Sequence, residues 1–188
     1  MNVSLFALWL PILLGTFLAW IASMVVHMAL KYHNHDYQKL DNEEAVMDAI
    51  RDGSPGKGFY GFPRVIDMAD YKDEAVLARF DKGPVGFAII GDNGMPNMGK
   101  LVGQQVSFFF IGILLIGYAA SLALQPGEAY FDVFRTVMTI GFLAFGWASV
   151  PYSIWFGIPW AMTGRYFIDA VIYSAIVAGC FAGFWPGA

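Results

Sequence analysis

An uninterrupted apolar stretch near the start of the chain, Leu5–Leu30, limits what this sequence can fold into. It contains no residue that is charged at neutral pH, and His27 is its only histidine. At about 1.5 Å rise per residue, a helix of this length crosses a hydrocarbon core of roughly 30 Å. The stretch therefore predicts a membrane-spanning helix and, with it, an integral membrane protein.

Three further apolar stretches predict membrane-spanning helices at 106–124, at about 133–150 and at about 166–184. The composition agrees, because 57% of the residues are hydrophobic and only 14% are charged, which is outside the range of soluble domains. Pro151 is expected to bend or end the third helix, since proline blocks a backbone hydrogen bond. The aromatic segment 152–160 fits either a continued helix or a loop at the membrane interface.

Most of the charged residues lie between 31 and 100, which predicts a small soluble insert after the first helix. Apolar periodicity there indicates helices at about 42–51 and 69–80 and strands at about 59–65 and 85–90, with a hairpin turn at Asn93-Gly94. The predicted fold class is thus an all-α integral membrane protein with four transmembrane helices and a small α+β insert between the first and second. The segments are 1–30, 31–100 and 101–188.

Basic residues near the span ends predict the orientation in the cell (inner) membrane. Lys31, Lys39, Lys82, Lys100 and Arg165 share the side of the insert, whereas Arg135 alone is on the other. The positive-inside rule then places the insert in the cytoplasm and both termini outside. The expected partners are the lipid bilayer and other membrane protein subunits. Nucleic acid is not expected, because the net charge is −4 and no basic cluster is present.

Small residues recur at four-residue spacing on two of the predicted helices. This spacing places residues on one helix face and allows two helix backbones to approach closely. We therefore predict helix-packing or interface surfaces on both helices. They comprise Gly15, Ala19, Ser23 and His27 on the first helix, and Ser174, Ala178 and Ala182 together with Ala175, Gly179 and Gly183 on the fourth.

Arg165 and Asp169 stand one turn apart near the start of the fourth predicted helix. Because an unpaired charge within a membrane is costly, we expect them to form a local ion pair at the rim. The alternative is a proton or ion path through Asp169. The first interpretation is favoured, since the middles of the last three spans carry few polar residues.

Histidines supply the candidate ligands of the chain. His33, His35 and Asp36 carry side chains suited to a transition metal, but a metal site needs three or four convergent ligands. His27 lies within the span, where a polar residue usually bonds to a neighbouring helix. A haem or chlorophyll-type macrocycle on His27 is the less favoured alternative, so that no cofactor is predicted.

No catalytic constellation is evident. The glycine-rich run 91–99 lacks the Gly-Lys-Ser/Thr ending of a phosphate loop, and no nucleophile stands beside a base. The sequence therefore favours a non-catalytic accessory or scaffold subunit of a larger bacterial membrane complex, for example an electron-transfer or photosynthetic one. The alternatives are a small transporter or channel component around Asp169 and Arg165, and a metal- or macrocycle-binding membrane protein using His27.

Four segments of the chain carry a resemblance: LWLPILL, HMALKYHNHDYQKL, GPVGF with PNMGK, and FIDAVIYSAIVAGCF. Together they resemble a group of small, functionally unassigned bacterial four-span membrane proteins. The resemblance implies four spans and one soluble insert. It implies no chemistry, and no functional residue is carried over from it.

Overall fold

The computed structural model describes residues 3–187 and contains four helices that are long and apolar enough to cross a membrane. The first runs over Leu5–Leu30 and combines a 3-10 turn, the helix α1 (Trp9–Met24) and a π-helical turn, Val25–Leu30. The remaining elements in chain order are α2 (Glu43–Gly53), β1 (Gly58–Phe62), α3 (Glu74–Lys82), β2 (Gly86–Ile90), α4 (Met98–Ala123), α5 (Tyr130–Phe145), α6 (Val150–Phe156) and α7 (Trp160–Gly183). Residues 1, 2 and 188, and with them the predicted location of the termini, lie outside the described residues.

The long helices pack as a four-membered bundle. Helix α7 packs on α1 and α5, and α4 packs on the same two helices from the other side. Their shared core is apolar and includes Leu8, Ile113, Val137, Val177 and Phe181, all fully buried. Large apolar side chains also cover much of the outer surface, as expected for helices that are surrounded by lipid.

The α-helix of the third span is interrupted at 146–149, within the turn before Pro151, as expected from a proline that bends or ends a helix. Helix α5 ends at Phe145, and after a 3-10 turn the chain continues as α6, which extends to Phe156. Pro151 lies in the first turn of α6, where its missing N–H has no partner to lose. Gly146 is required at the bend, because an added Cβ would lie 2.6 Å from Cβ of Ala170.

Two helices begin earlier than their apolar runs indicate. Helix α4 starts at Met98, where the side chain of Asn97 accepts a hydrogen bond from the backbone N–H of Lys100 and caps the helix. Helix α7 starts at Trp160 instead of near residue 166. Asp169 therefore lies about 13 Å inside the helix at 1.5 Å per residue, and is not at its rim.

The insert forms a separate compact unit of Gln38–Met95 together with Trp155–Gly157. Strands β1 and β2 pair antiparallel, and the rings of Phe59 and Phe87 stack with centroids 5.1 Å apart. The predicted helix at 69–80 is divided, because Asp73 caps α3 by accepting from the N–H of Ala75. The predicted hairpin at Asn93-Gly94 was wrong, since no described strand follows β2.

Candidate functional site

The chain reverses direction immediately after the first long helix. Lys31 adopts a left-handed backbone conformation with φ of 53°, and the 3-10 turn Tyr32–Asp36 follows. The turn returns His33 to the helix end, where its ring stacks on His27 with centroids 4.6 Å apart and an interplanar angle of 5°. A continued helix would instead separate these two residues by about 9 Å along its axis.

Asp169 of α7 receives two partners from this turn. The Tyr32 hydroxyl donates to Oδ1 of Asp169, and Nε2 of His33 lies 3.0 Å from Oδ2. Only 6% of Asp169 is exposed, so both carboxylate oxygens are bonded in a nearly dry environment. Burying a carboxylate is tolerated because these partners replace the water that it loses.

Asp36 continues the same set of contacts on the far side of the His33 ring. It accepts a hydrogen bond from Nδ1 of His33 at 2.7 Å and another from Nε of Arg165 at 2.6 Å. The side chain of Asp36 is 1% exposed. Asp169, His33, Asp36 and Arg165 therefore form a continuous row, and we call this row together with Tyr32 the polar network.

Two groups of the polar network outside the long helices have shifted pKa values. Burial raises the pKa of the Tyr32 phenol, and its hydrogen bond to the Asp169 carboxylate raises it further, so that Tyr32 remains a donor. Burial also disfavours ionisation of Asp36, but the hydrogen bonds from Arg165 and His33 outweigh it and lower the pKa of Asp36. Asp36 is therefore a carboxylate at neutral pH.

A partly open cavity of about 530 Å³ lies beside the polar network. Asp169 and His27 contribute polar groups to its wall, and Gln105 of α4 adds an amide. Aromatic rings provide most of the remaining surface, namely Phe108, Phe109, Phe145, Tyr152, Tyr166 and Tyr173. A cavity of this size, mostly apolar with a few polar groups, is typical of a small-molecule site.

The hydroxyl of Tyr173 in this cavity wall is unusual. The residue is 7% exposed, and within residues 3–187 its buried oxygen has no hydrogen-bond partner. Tyr166, Asp169 and Tyr173 are spaced at i, i+3 and i+7, which places them on one face of α7. The rings of Phe109 and Phe145 pack edge-on against that of Tyr173, at 5.3 and 6.3 Å between centroids, and so hold the ring in place.

Arg165 and Asp169, which were predicted to pair with each other, have other partners in the structure. Arg165 binds Asp36 instead of Asp169, and Asp169 binds His33 and Tyr32. The predicted Arg165–Asp169 pair is therefore replaced by two separate contacts. The reason is the fold-back at Lys31, which inserts the turn next to α7.

The histidines are also grouped differently from the predicted metal set of His33, His35 and Asp36. His35 is exposed, whereas ligand atoms of His27, His33 and Asp169 lie within 4.8 Å of one another. Asp36 lies behind His33 and bonds to Nδ1 of that ring. The macrocycle interpretation of His27 stays a prediction.

The small-residue faces are divided between the core and the outer surface. Gly15, Ala19 and Ser23 are buried, whereas His27 is exposed beside His33. On α7 the face of Ser174, Ala178 and Ala182 is buried in the bundle, and the face of Ala175, Gly179 and Gly183 is half-buried or exposed. A Cβ added at Gly179 or Gly183 would meet no described atom within 4 Å.

Sequence reasoning missed Tyr32, Tyr173 and Gln105. Tyrosine near a span end is common at a membrane interface, so Tyr32 gave no distinct signal. Tyr173 lies in an apolar run, and its spacing of four residues from Asp169 was the only sign that the two share a face. Gln105 stands just before the predicted span at 106–124, where a single glutamine gives no distinct signal.

No protein-family model, no curated protein and no solved structure matches this chain. The function must therefore be inferred from the geometry of the site.

Proposed function

We propose that this protein is an accessory subunit of a membrane electron-transfer complex, and that its cavity holds the ring of a neutral, lipid-soluble quinone. The observation that supports this proposal is the buried, unbonded hydroxyl of Tyr173, a residue that lines an aromatic cavity among membrane-type helices. A quinone has the flat ring, the hydrogen-bond acceptor and the lipid solubility that such a cavity requires.

The Tyr173 hydroxyl favours a ligand that carries an acceptor oxygen. A buried phenol usually donates a hydrogen bond, and leaving it unbonded costs about 1–3 kcal/mol. A carbonyl oxygen in the cavity would accept this hydrogen bond. The surrounding rings of Phe108, Phe109 and Tyr166 would pack on a flat ring, because aromatic pairs favour offset or edge-to-face contacts.

The charges near the cavity favour a neutral ligand over a carboxylate. The polar network contains two carboxylates, Asp36 and Asp169, and one permanent cation, Arg165. Asp169 lies in the cavity wall itself, where a second carboxylate would be repelled at low dielectric. A fatty-acid headgroup is therefore disfavoured, whereas a quinone carbonyl gains the Tyr173 hydrogen bond without that cost.

Calorimetric titration of decylubiquinone into the purified chain in nanodiscs tests the proposal. Tyr173→Phe should weaken binding about tenfold, because one hydrogen bond of about 1.4 kcal/mol is lost while the ring remains. The matched control is Tyr118→Phe on α4, whose residue is 52% exposed and does not line the cavity. It should bind as the unmodified chain does.

Decanoate serves as the second probe, because it has a similar apolar chain but a charged head. We expect no measurable decanoate binding at this cavity. Equal affinities of Tyr173→Phe and the unmodified chain for decylubiquinone would overturn the proposal. Decanoate binding that is reduced by Tyr173→Phe would overturn the assignment to a neutral quinone.

A further inference from the structure

We propose that His27, His33 and Asp169 form a binding site for one divalent transition-metal ion, with Zn²⁺ as the best-fitting probe. Ligand atoms of these three residues lie within 4.8 Å of one another. They come from the end of the first long helix, from the turn after Lys31, and from α7. This site goes beyond the proposed quinone binding and does not depend on it.

In both histidines Nδ1 is bonded away from the proposed ion, so Nε2 would be the ligand atom of each ring. Nδ1 of His27 lies 3.0 Å from the backbone oxygen of Ser23, which can only accept, so Nδ1 carries the hydrogen. Nε2 of a neutral His27 then has a free lone pair. Nδ1 of His33 bonds in the same way to Asp36, so the ligand atom of His33 would be Nε2, which contacts Oδ2 of Asp169 in this structure.

Asp36 and Arg165 supply the outer support that metal-binding histidines usually have. A carboxylate behind the imidazole fixes the tautomer and the ring orientation and raises ligand basicity. Asp36 does this for His33 and is itself held by Arg165 at 2.6 Å. Ser23 has the corresponding role for His27 through its backbone carbonyl.

The contact between His33 and Asp169 places an imidazole nitrogen directly beside a carboxylate oxygen. Nε2 of His33 is 3.0 Å from Oδ2 of Asp169, and a nitrogen lone pair would repel that carboxylate oxygen. A hydrogen between the two atoms removes this repulsion. A metal ion bound to both atoms would remove it equally. The third ligand would be added when the exposed His27 ring turns out of its stack on His33, because imidazole lone pairs lie in the plane of the ring.

The ligand set identifies the class of ion. Two imidazole nitrogens and one carboxylate oxygen suit Zn²⁺ and its neighbours Co²⁺, Fe²⁺ and Cu²⁺, whereas Mg²⁺ and Ca²⁺ prefer oxygen alone. Three protein ligands leave a fourth position open, as in zinc sites that bind water or another small ligand. His27 and Asp169 line the cavity, so this position would face it.

The test uses the complete chain in nanodiscs, purified with a histidine-free tag and stripped with a chelator. Zn²⁺ titration should give one bound ion per chain, and Co²⁺ should give the visible absorption of a four-coordinate site. His27→Ala should weaken Zn²⁺ binding at least tenfold, since even outer-shell losses cost roughly 10- to 100-fold. This variant should fold, because the exposed His27 ring lies outside the polar network.

His35→Ala is the matched control, because His35 is a nearby exposed histidine outside the three-residue set. It should bind Zn²⁺ as the unmodified chain does. An equal loss in His27→Ala and His35→Ala would reduce the site to adventitious surface binding and overturn the proposal. Absence of stoichiometric Zn²⁺ would overturn it too. Because no quinone is present, neither result bears on the proposed function.

Discussion

At the scale of single residues, Asp169 has the greatest effect on how the site is built. It is a carboxylate inside a membrane-type helix, and its two oxygens bond to Tyr32 and His33. Removing one partner of a buried hydrogen bond leaves the other group unsatisfied, which costs more than the bond itself contributes. Asp169 thus links the last helix to the turn that follows the first.

Asp169→Asn should lower the free energy of unfolding by about 2 kcal/mol, because it leaves Asp36 and Arg165 paired but replaces one of the two bonded carboxylate oxygens by an amide NH₂ group. Thermal unfolding in detergent, followed by circular dichroism, measures the change. Asp132→Asn is the control, since Asp132 pairs with Arg135 at 2.8 Å on the surface. It should cost less than about 1 kcal/mol. Similar losses in both variants would contradict this role of Asp169.

The sequence singled out nearly every charged member of the polar network but not how they are paired. His33, Asp36, Arg165 and Asp169 are conspicuous because polar residues are scarce at span ends. Their pairing depends on the left-handed residue Lys31, and nothing about a lysine indicates that conformation. The unbonded Tyr173 hydroxyl could not be foreseen either, because hydrogen bonding is a property of the packed bundle.

At the scale of elements, the contact between α5 and α7 depends on glycines of α5 and its bend. A Cβ added at Gly141 would lie 2.8 Å from Cβ of Ser174, closer than packed carbon atoms approach. The apolar runs predicted all four long helices, because length and hydropathy are properties of one segment. These glycines were not singled out, because their importance depends on which residue of α7 lies opposite.

Gly141→Ala should therefore destabilise the bundle by about 1–3 kcal/mol through overpacking against Ser174. Gly103→Ala on α4 is the matched control, since an added Cβ there meets no described atom within 4 Å. It should be neutral or stabilising by up to about 1 kcal/mol, because alanine favours the helix. Chemical or thermal unfolding of both variants measures the two changes in the free energy of unfolding. If Gly141→Ala were more stable than the unmodified chain, α5 and α7 could move apart at this contact without cost, and the prediction would be wrong.

At the scale of the whole molecule, the four long helices are compatible with a multi-pass membrane protein. Successive spans would place the insert and the loop between α6 and α7 on one side, and the loop between α4 and α5 on the other. Basic residues are concentrated on the first of these sides, which is expected to be cytoplasmic.

Cysteine labelling tests this orientation in a Cys180→Ser background, since Cys180 is the only cysteine. A membrane-impermeant maleimide added to intact cells should modify Ala129→Cys, which is in the loop before α5. It should modify Ser54→Cys, which is in the insert, only after the cells are permeabilised. Both positions are exposed, so burial does not explain a difference. The opposite pattern would reverse the orientation, and equal labelling of both positions in intact cells would contradict four spans.

The contacts between the turn after Lys31 and α7 also affect how the protein is made. His33 and Asp36 leave the ribosome well before their partners on α7, because 129 residues separate Asp36 from Arg165 and 136 separate His33 from Asp169. Until α7 is made, Asp36 lacks the Arg165 guanidinium that holds it, and His33 lacks its contact with Asp169. Before α7 is made, the chain therefore carries an unmatched Asp36 carboxylate after its first long helix, and the synthesis of α7 supplies the cation that neutralises it.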